Sequence, residues 1–157
     1  MFNLIVIGGG PAGATAAMRA RELGATVALI ERGPMGGTCT NDGCVPTRVL
    51  AKAARLMRDA EQYAEYGLVG EKPMVDFATL LARTRNIVHQ IHEKKQLQSH
   101  LEQSDVTVFA NAGRARFVDE HSVALGDGTT LQAEKFILCA GGHAQHCDTA
   151  ACCLPRQ

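Results

Sequence analysis

The chain has 157 residues, with 16 basic and 16 acidic side chains, and 46% of its residues are hydrophobic. This length suits one domain with a buried core. A formal net charge of zero, with no basic run longer than Lys94-Lys95, argues against nucleic acid or an anionic membrane surface as a partner. The longest run of large apolar residues, 4–7, is too short for a membrane span, and no basic segment precedes it as in a signal peptide. We therefore expect a cytoplasmic protein whose cysteines are catalytic, metal-binding or incidental rather than structural disulfides.

The first 30 residues predict a strand, a glycine-rich turn, a helix and a second strand. An apolar run at 3–7 is followed by three glycines, an Ala-rich helical stretch at 12–23 and another apolar run at 25–30. Short apolar runs of this kind are typical of buried parallel strands. The glycine-rich segment from Gly33 to Gly43 then predicts an irregular loop.

Two long amphipathic helices are predicted next, and we expect both to pack on the sheet. The first runs from about Val45 to Tyr66. The second begins after Asp76, a suitable N-cap, and its apolar residues recur at helical spacing from Leu80 to Ile91 and, after a polar turn, at Leu97 and Leu101.

In the last third of the chain the pattern changes to short segments rich in β-forming residues. They lie at 106–109, 115–118, 122–125, 129–131 and 136–139. Asp127-Gly128 predicts a hairpin turn between two of them. The predicted fold class is therefore α/β, a doubly wound sheet with a small antiparallel β insertion.

Residues 8–13 match the pattern G-x-G-x-x-G, directly after a predicted strand and at the start of a helix. In such a motif Gly8 makes the tight turn, Gly10 lets the backbone approach a pyrophosphate and Gly13 lets the helix pack on the strand. The second strand ends in Glu31, near the interval at which an acid receives the ribose hydroxyls of an adenosine. Together these features predict dinucleotide binding, and a glycine turn with a purely steric role is the alternative.

Cys39 and Cys44 are separated by four residues, and the second opens the long helix, with Pro46 in its first turn. The helix dipole and the unpaired N–H groups stabilise a thiolate at Cys44. The pair therefore predicts a redox dithiol, in which one thiol exchanges with a substrate and the other faces an electron-accepting ring. The alternatives are two inert thiols or half of a zinc site, which needs two more ligands. No metal site is predicted, because His89 and His92 lack a third ligand and are interpreted as a polar helix face.

The glycine motif, Glu31 and the segment from Gly36-Gly37-Thr38-Cys39 to Cys44-Val45-Pro46-Thr47 resemble one known family. It is the class I pyridine nucleotide-disulfide oxidoreductases, which include dihydrolipoamide dehydrogenase, glutathione reductase and mercuric reductase. The resemblance covers residues 1–142 and implies an incomplete Rossmann-like FAD-binding domain. It also implies that Cys39 is the interchange thiol and that Cys44 forms a charge-transfer complex with the flavin. The implied cofactor-binding residues are Gly8, Gly10, Pro11, Ala12, Gly13, Glu31, Arg32, Gly37, Thr38, Cys44 and Arg48.

Two departures from the family pattern stand out. Thr47-Arg48 occupies the place of Ser-Lys, and arginine keeps the charge but is bulkier and planar. Family members are also much longer, and their remaining part holds the nicotinamide site, the dimerisation domain and the acid-base histidine, for which no histidine of this chain is a candidate. Residues 143–157 show no period and contain three cysteines; we expect a disordered tail, or a frame lost after Ala144 and an early stop.

The resemblance implies an FAD-dependent oxidoreductase that uses NAD(P)H. Electrons would pass through the flavin and the Cys39-Cys44 disulfide to a small-molecule or protein disulfide, or to a soft metal ion. A homodimer is implied for the full-length family. The alternatives are a truncated, non-catalytic FAD-binding fragment and a nicotinamide-binding module with incidental cysteines.

Overall fold

The fold is built on one six-stranded sheet in the part of the chain that the computed structural model describes, residues 1–142. The strands are β1 Phe2–Ile7, β2 Val27–Ile30, β3 Thr107–Phe109, β4 Arg116–Asp119, β5 Ser122–Ala124 and β6 Thr130–Leu138. Their order across the sheet is β3-β2-β1-β6-β5-β4. Strands β3, β2, β1 and β6 pair with their neighbours in parallel. Strand β4 pairs antiparallel with β5, and β5 pairs antiparallel with the first part of β6. This confirms the predicted α/β class with an antiparallel insertion; the prediction for residues 143–157 lies outside the described residues.

Strand β6 joins two pieces that the sequence pattern separates. It is one strand of nine residues rather than separate runs at 129–131 and 136–139. Its first part pairs antiparallel with β5, and its second part pairs parallel with β1. The polar residues Gln132, Glu134 and Lys135 interrupt the apolar pattern because they are exposed, although Ala133 between them is fully buried. The predicted turn at Asp127-Gly128 is confirmed, with Gly128 at a φ of +88°.

The helices are α1 Pro11–Glu22, α2 Gly37–Asn41, α3 Cys44–Glu61, α4 Phe77–Lys95 and α5 Leu97–Gln103, with a 3₁₀ turn at Tyr63–Tyr66. Three of these bounds correct the sequence prediction. Helix α2 lies inside the predicted loop, α3 ends five residues before Tyr66, and the last long helix is split in two. The split falls at Gln96, whose left-handed backbone, with a φ of +44°, ends α4 and turns the chain into α5.

Helices α3 and α4 pack chiefly against each other and against α2, not on the sheet as predicted. The sheet is covered on one face by α1 and α5, where Leu29 and Leu101 are fully buried. On the other face the buried cluster includes Ile5 and Val123, and the antiparallel strands contribute to it. The apolar stripes of α3 and α4 cover one another, so an amphipathic pattern alone does not tell which surface a helix meets.

Asp76 caps α4 as the sequence predicts. Its carboxylate accepts hydrogen bonds from the Thr79 hydroxyl at 2.5 Å and the Thr79 amide at 3.2 Å, and these bonds hold the pKa of Asp76 below its usual value. Asp76→Ala should therefore lower the melting temperature at neutral pH by about 3 °C. A lowered folded-state pKa means that the stabilisation is present above the unfolded-state pKa and is lost as the pH falls through the folded-state pKa.

Thermal melts followed by circular dichroism check this prediction. The difference between Asp76→Ala and the parent should shrink as the pH falls below the usual pKa of an aspartate, and it should vanish once the carboxylate of the folded protein is protonated. Glu71→Ala, at an exposed residue of the preceding loop, is the control and should melt with the parent. A deficit that stays constant down to low pH would contradict the capping role.

None of the helices in residues 1–142 combines the length and the apolar character that crossing a bilayer requires.

Candidate functional site

The glycine-rich turn between β1 and α1 leaves no room for a side chain at two of its glycines. Gly8 has a φ of +114°, and a Cβ there would overlap the carbonyl oxygen of Cys139. A Cβ at Gly13 would overlap the carbonyl oxygen of Gly8. Gly10 is less constrained, since a Cβ would lie 3.6 Å from the Cα of Gly37, and no side chain of the described residues caps α1 there. The turn therefore brings backbone amides close to whatever lies in front of it.

A cleft of about 970 Å³ lies in front of this turn, at the carboxyl ends of β1, β2 and β6. Ligands of open α/β sheets bind at this edge. Nine of the residues predicted for the site line it: Gly8, Gly10, Pro11, Ala12, Glu31, Arg32, Gly37, Thr38 and Cys39.

Three predicted residues do not line the cleft. Gly13 is buried beneath the turn, where α1 meets β1. Cys44 is the first residue of α3 and lies beside Cys39. Arg48 is exposed one helical turn further along α3.

Glu31 connects the two sides of the cleft. Its Oε2 accepts a hydrogen bond from the Gly9 amide at 2.6 Å, and its Oε1 accepts one from the Gly33 amide at 3.0 Å. Each carboxylate oxygen can still accept a second hydrogen bond from a ligand hydroxyl. The sequence predicts only the contact with a ribose, whereas the structure adds this bracing of the glycine turn.

Residues 113–115 line the same cleft and are absent from the sequence prediction. They precede β4, and the amide of Gly113 donates to the carbonyl oxygen of Arg32 at 3.3 Å. The guanidinium-bearing Arg114 is exposed at the cleft. The one local signal is Gly113, whose φ is +71° and whose missing side chain lets it pack on Gly126. Nothing in the local sequence relates this loop to Glu31, more than eighty residues earlier.

Cys39 and Cys44 are brought together where α2 ends and α3 begins. Both are exposed, and Cys39 also lines the cleft. The Cys44 side chain raises the pKa of Cys39, because the two sulfurs share a hydrogen bond and a second negative charge would be repelled. The ammonium of Lys95 and the amide of Cys44 act in the opposite direction. Two exposed thiols this close together have the chemistry of a dithiol–disulfide pair.

Side chains from the last two turns of α4 form hydrogen bonds with α2. His92 Nε2 lies 2.7 Å from Asn41 Oδ1, and the Asn41 side-chain amide donates to the Pro34 carbonyl oxygen at 3.1 Å. Lys95 Nζ donates to the Thr40 hydroxyl at 3.3 Å. The sequence analysis predicts none of these three contacts. His89 stays on the outer face of α4, 3.4 Å from Glu93, and the described residues contain no cluster of three side chains suited to a metal ion.

The strand order and the glycine-rich turn after β1 are those of the Rossmann-like class of α/β proteins. The chain belongs to the pyridine nucleotide-disulphide oxidoreductase family, whose sequence model matches residues 2–152. This confirms the resemblance that the glycine motif and the dicysteine segment indicate. Proteins of this family are oxidoreductase flavoenzymes with FAD as cofactor and NAD(P)H as donor.

Individual relatives agree with this assignment. The chain is 34% identical to dihydrolipoyl dehydrogenase of Zymomonas mobilis, over 92% of this chain and 31% of that protein. It is 33% identical to mercuric reductase of Lysinibacillus sphaericus, over 89% of this chain and 25% of that protein. Among solved structures, the HOCl-induced flavoprotein disulfide reductase RclA of Escherichia coli matches with a TM-score of 0.67 and 28% identity, over 93% of this chain and 29% of that one. The chain thus spans between a quarter and a third of the length of these relatives.

Proposed function

We propose that residues 1–142 form the FAD-binding and dithiol-bearing part of an NAD(P)H-dependent reductase. Its Cys39-Cys44 pair would pass electrons to a disulfide or to a soft metal ion. One observation carries this proposal: Cys39 lies on the wall of the cleft that the glycine turn and Glu31 also line. Binding groups for a dinucleotide and a redox dithiol therefore share one site.

The residues of the cleft fit FAD. The glycine turn has no room for side chains at Gly8 and Gly13, so its amides and the start of α1 are suited to a diphosphate. Glu31 keeps free lone pairs for ribose hydroxyls. Gly37 and Thr38 line the cleft next to Cys39 and would hold the ring end of the cofactor. FAD would supply the two electrons that reopen the Cys39-Cys44 disulfide after each turnover.

The dithiol itself performs two exchange steps. The Cys39 thiolate attacks one sulfur of the substrate disulfide, which forms a mixed disulfide and releases the first thiol after protonation. Cys44 then attacks the Cys39 sulfur, which releases the second thiol and closes the Cys39-Cys44 disulfide. Two electrons have moved to the substrate, and the exposure of Cys39 leaves it open to such an encounter.

We assign the NAD(P)H site and the dimerisation surface to the parts of the relatives that this chain does not match. Because NAD(P)H is a cytoplasmic reductant, the cytoplasm is the proposed compartment. Arg48 is proposed to take the place of the family lysine, with its charge retained and its shape changed.

The test is an anaerobic visible spectrum of the chain reconstituted with FAD, before and after reduction by a small dithiol. We expect retained flavin and a long-wavelength band that appears on reduction, because the family resemblance assigns charge transfer to the flavin to Cys44, which lies beside Cys39. Cys39→Ser is the matched control and should keep the band, whereas Cys44→Ser should lose it.

Each contrary outcome overturns a different part of the proposal. A chain that retains no flavin contradicts the cofactor assignment. Retained flavin with no band, or a band that persists in Cys44→Ser, contradicts the dithiol assignment and leaves a flavin-binding fragment without a working redox pair.

A further inference from the structure

Lys95, in the C-terminal turn of α4, brings a positive charge close to Cys39. Lys95 Nζ donates to the hydroxyl of Thr40, the residue that follows Cys39, and Thr40 is only 2% exposed. A buried anchor of this kind restricts where the ammonium can lie. One turn earlier on the same helix, His92 holds Asn41, so two contacts join α4 to the two residues after Cys39.

The charge on Lys95 acts on Cys39 in the direction opposite to its partner thiol. Cys44 raises the pKa of Cys39, and Lys95 lowers it. Other titratable groups around Cys39 are His92 on α4 and Asp42 at the end of α2; Glu31, Arg32 and Arg114 line the same cleft. A cation beside a thiol favours the thiolate, which is the nucleophile in disulfide exchange.

We propose that Lys95 is a positioning residue for exchange at Cys39. Its ammonium, held by Thr40, stabilises negative charge on the attacking sulfur and keeps Cys39 nucleophilic beside Cys44. The inference rests on the proposed function, because that function assigns the first attack to Cys39. This role falls to a residue of α4 that lies 55 positions after Thr40 in the sequence.

Alkylation by iodoacetamide tests this inference without any flavin. All proteins carry Cys44→Ser, so that Cys39 is the one cysteine of the tryptic peptide 33–48 and its rate is read from that peptide by mass spectrometry. Lys95→Met should slow alkylation at neutral pH and low salt by about 3- to 10-fold, the size of a partly screened charge interaction. Lys95→Arg keeps the charge and should stay within about 2-fold of the parent. Lys94→Met removes the adjacent exposed charge and should have no effect.

The pH dependence separates a charge effect from a loss of structure. Lys95→Met should shift the alkylation profile of Cys39 to higher pH, and all variants should converge where the thiol is fully ionised. Equal rates for Lys95→Met and Lys94→Met would overturn the inference. So would a deficit that persists at full ionisation, or one that Lys95→Arg fails to restore. Failure of the flavin test leaves these rates unchanged, so the two proposals fail separately.

Discussion

Gly13→Ala should destabilise the chain by about 3 kcal/mol or more and abolish flavin retention. The added Cβ would overlap the carbonyl oxygen of Gly8, and the backbone that carries each of these two atoms has little freedom to move. On one side, the Gly8 amide donates to the Ile30 carbonyl oxygen at 2.7 Å. On the other side, α1 is buried against the sheet through Ala14 and Ala17. Relief of the overlap would separate α1 from β1 and open the turn that the cofactor is proposed to occupy.

Urea unfolding followed by circular dichroism measures this loss. Gly70→Ala is the matched control, because a Cβ there has no heavy atom of the described residues within 4 Å and its backbone is not left-handed. We expect the control to unfold within about 0.5 kcal/mol of the parent and to retain flavin equally. A Gly13→Ala protein as stable as the control would show that α1 can shift, and would contradict the close packing described above.

Mild oxidation should close the Cys39-Cys44 disulfide almost completely in the parent chain and not at all in either single variant. Cys44 lies close enough to Cys39 to raise its pKa, and both side chains are exposed to an oxidant. After treatment with diamide, the tryptic peptide 33–48 should lose two hydrogen atoms and resist alkylation at both positions. In Cys39→Ser or Cys44→Ser the remaining cysteine of this peptide should stay open to alkylation.

Cys139→Ser provides the control for this experiment, because Cys139 is half-buried and lines the cleft immediately after β6. It should not alter the oxidation of peptide 33–48. Alkylation of both cysteines in the oxidised parent would contradict the redox pair, even if flavin is retained.

The βαβ unit, the glycine turn and the closeness of the two cysteines follow from the amino-acid sequence alone. Each depends on residues that lie close together along the chain. The apolar runs at 3–7 and 25–30 predict parallel strands, and the glycines between them match one motif. Only the end of α2 and the turn at Asp42-Gly43 separate Cys39 from Cys44. The family resemblance depends on the same local segments, and the match to residues 2–152 confirms it.

The way in which the remaining elements meet depends on contacts between segments that are distant in the sequence. Helix α2 forms in a glycine-rich segment because Asn41, held by His92 of α4, ties it to the Pro34 carbonyl. Strand β6 continues through polar residues because β5 and then β1 supply its hydrogen-bond partners. Propensity and periodicity describe a segment alone, and such contacts between distant segments override them.

The same reason explains which site residues the sequence missed. Arg114 reaches the cleft because its loop hydrogen-bonds to the backbone after β2, and Lys95 reaches Thr40 because α4 folds back on α2. Neither residue belongs to a motif. A motif encodes the atoms that a short stretch of backbone presents, whereas the charge surrounding those atoms comes from side chains that only folding brings near.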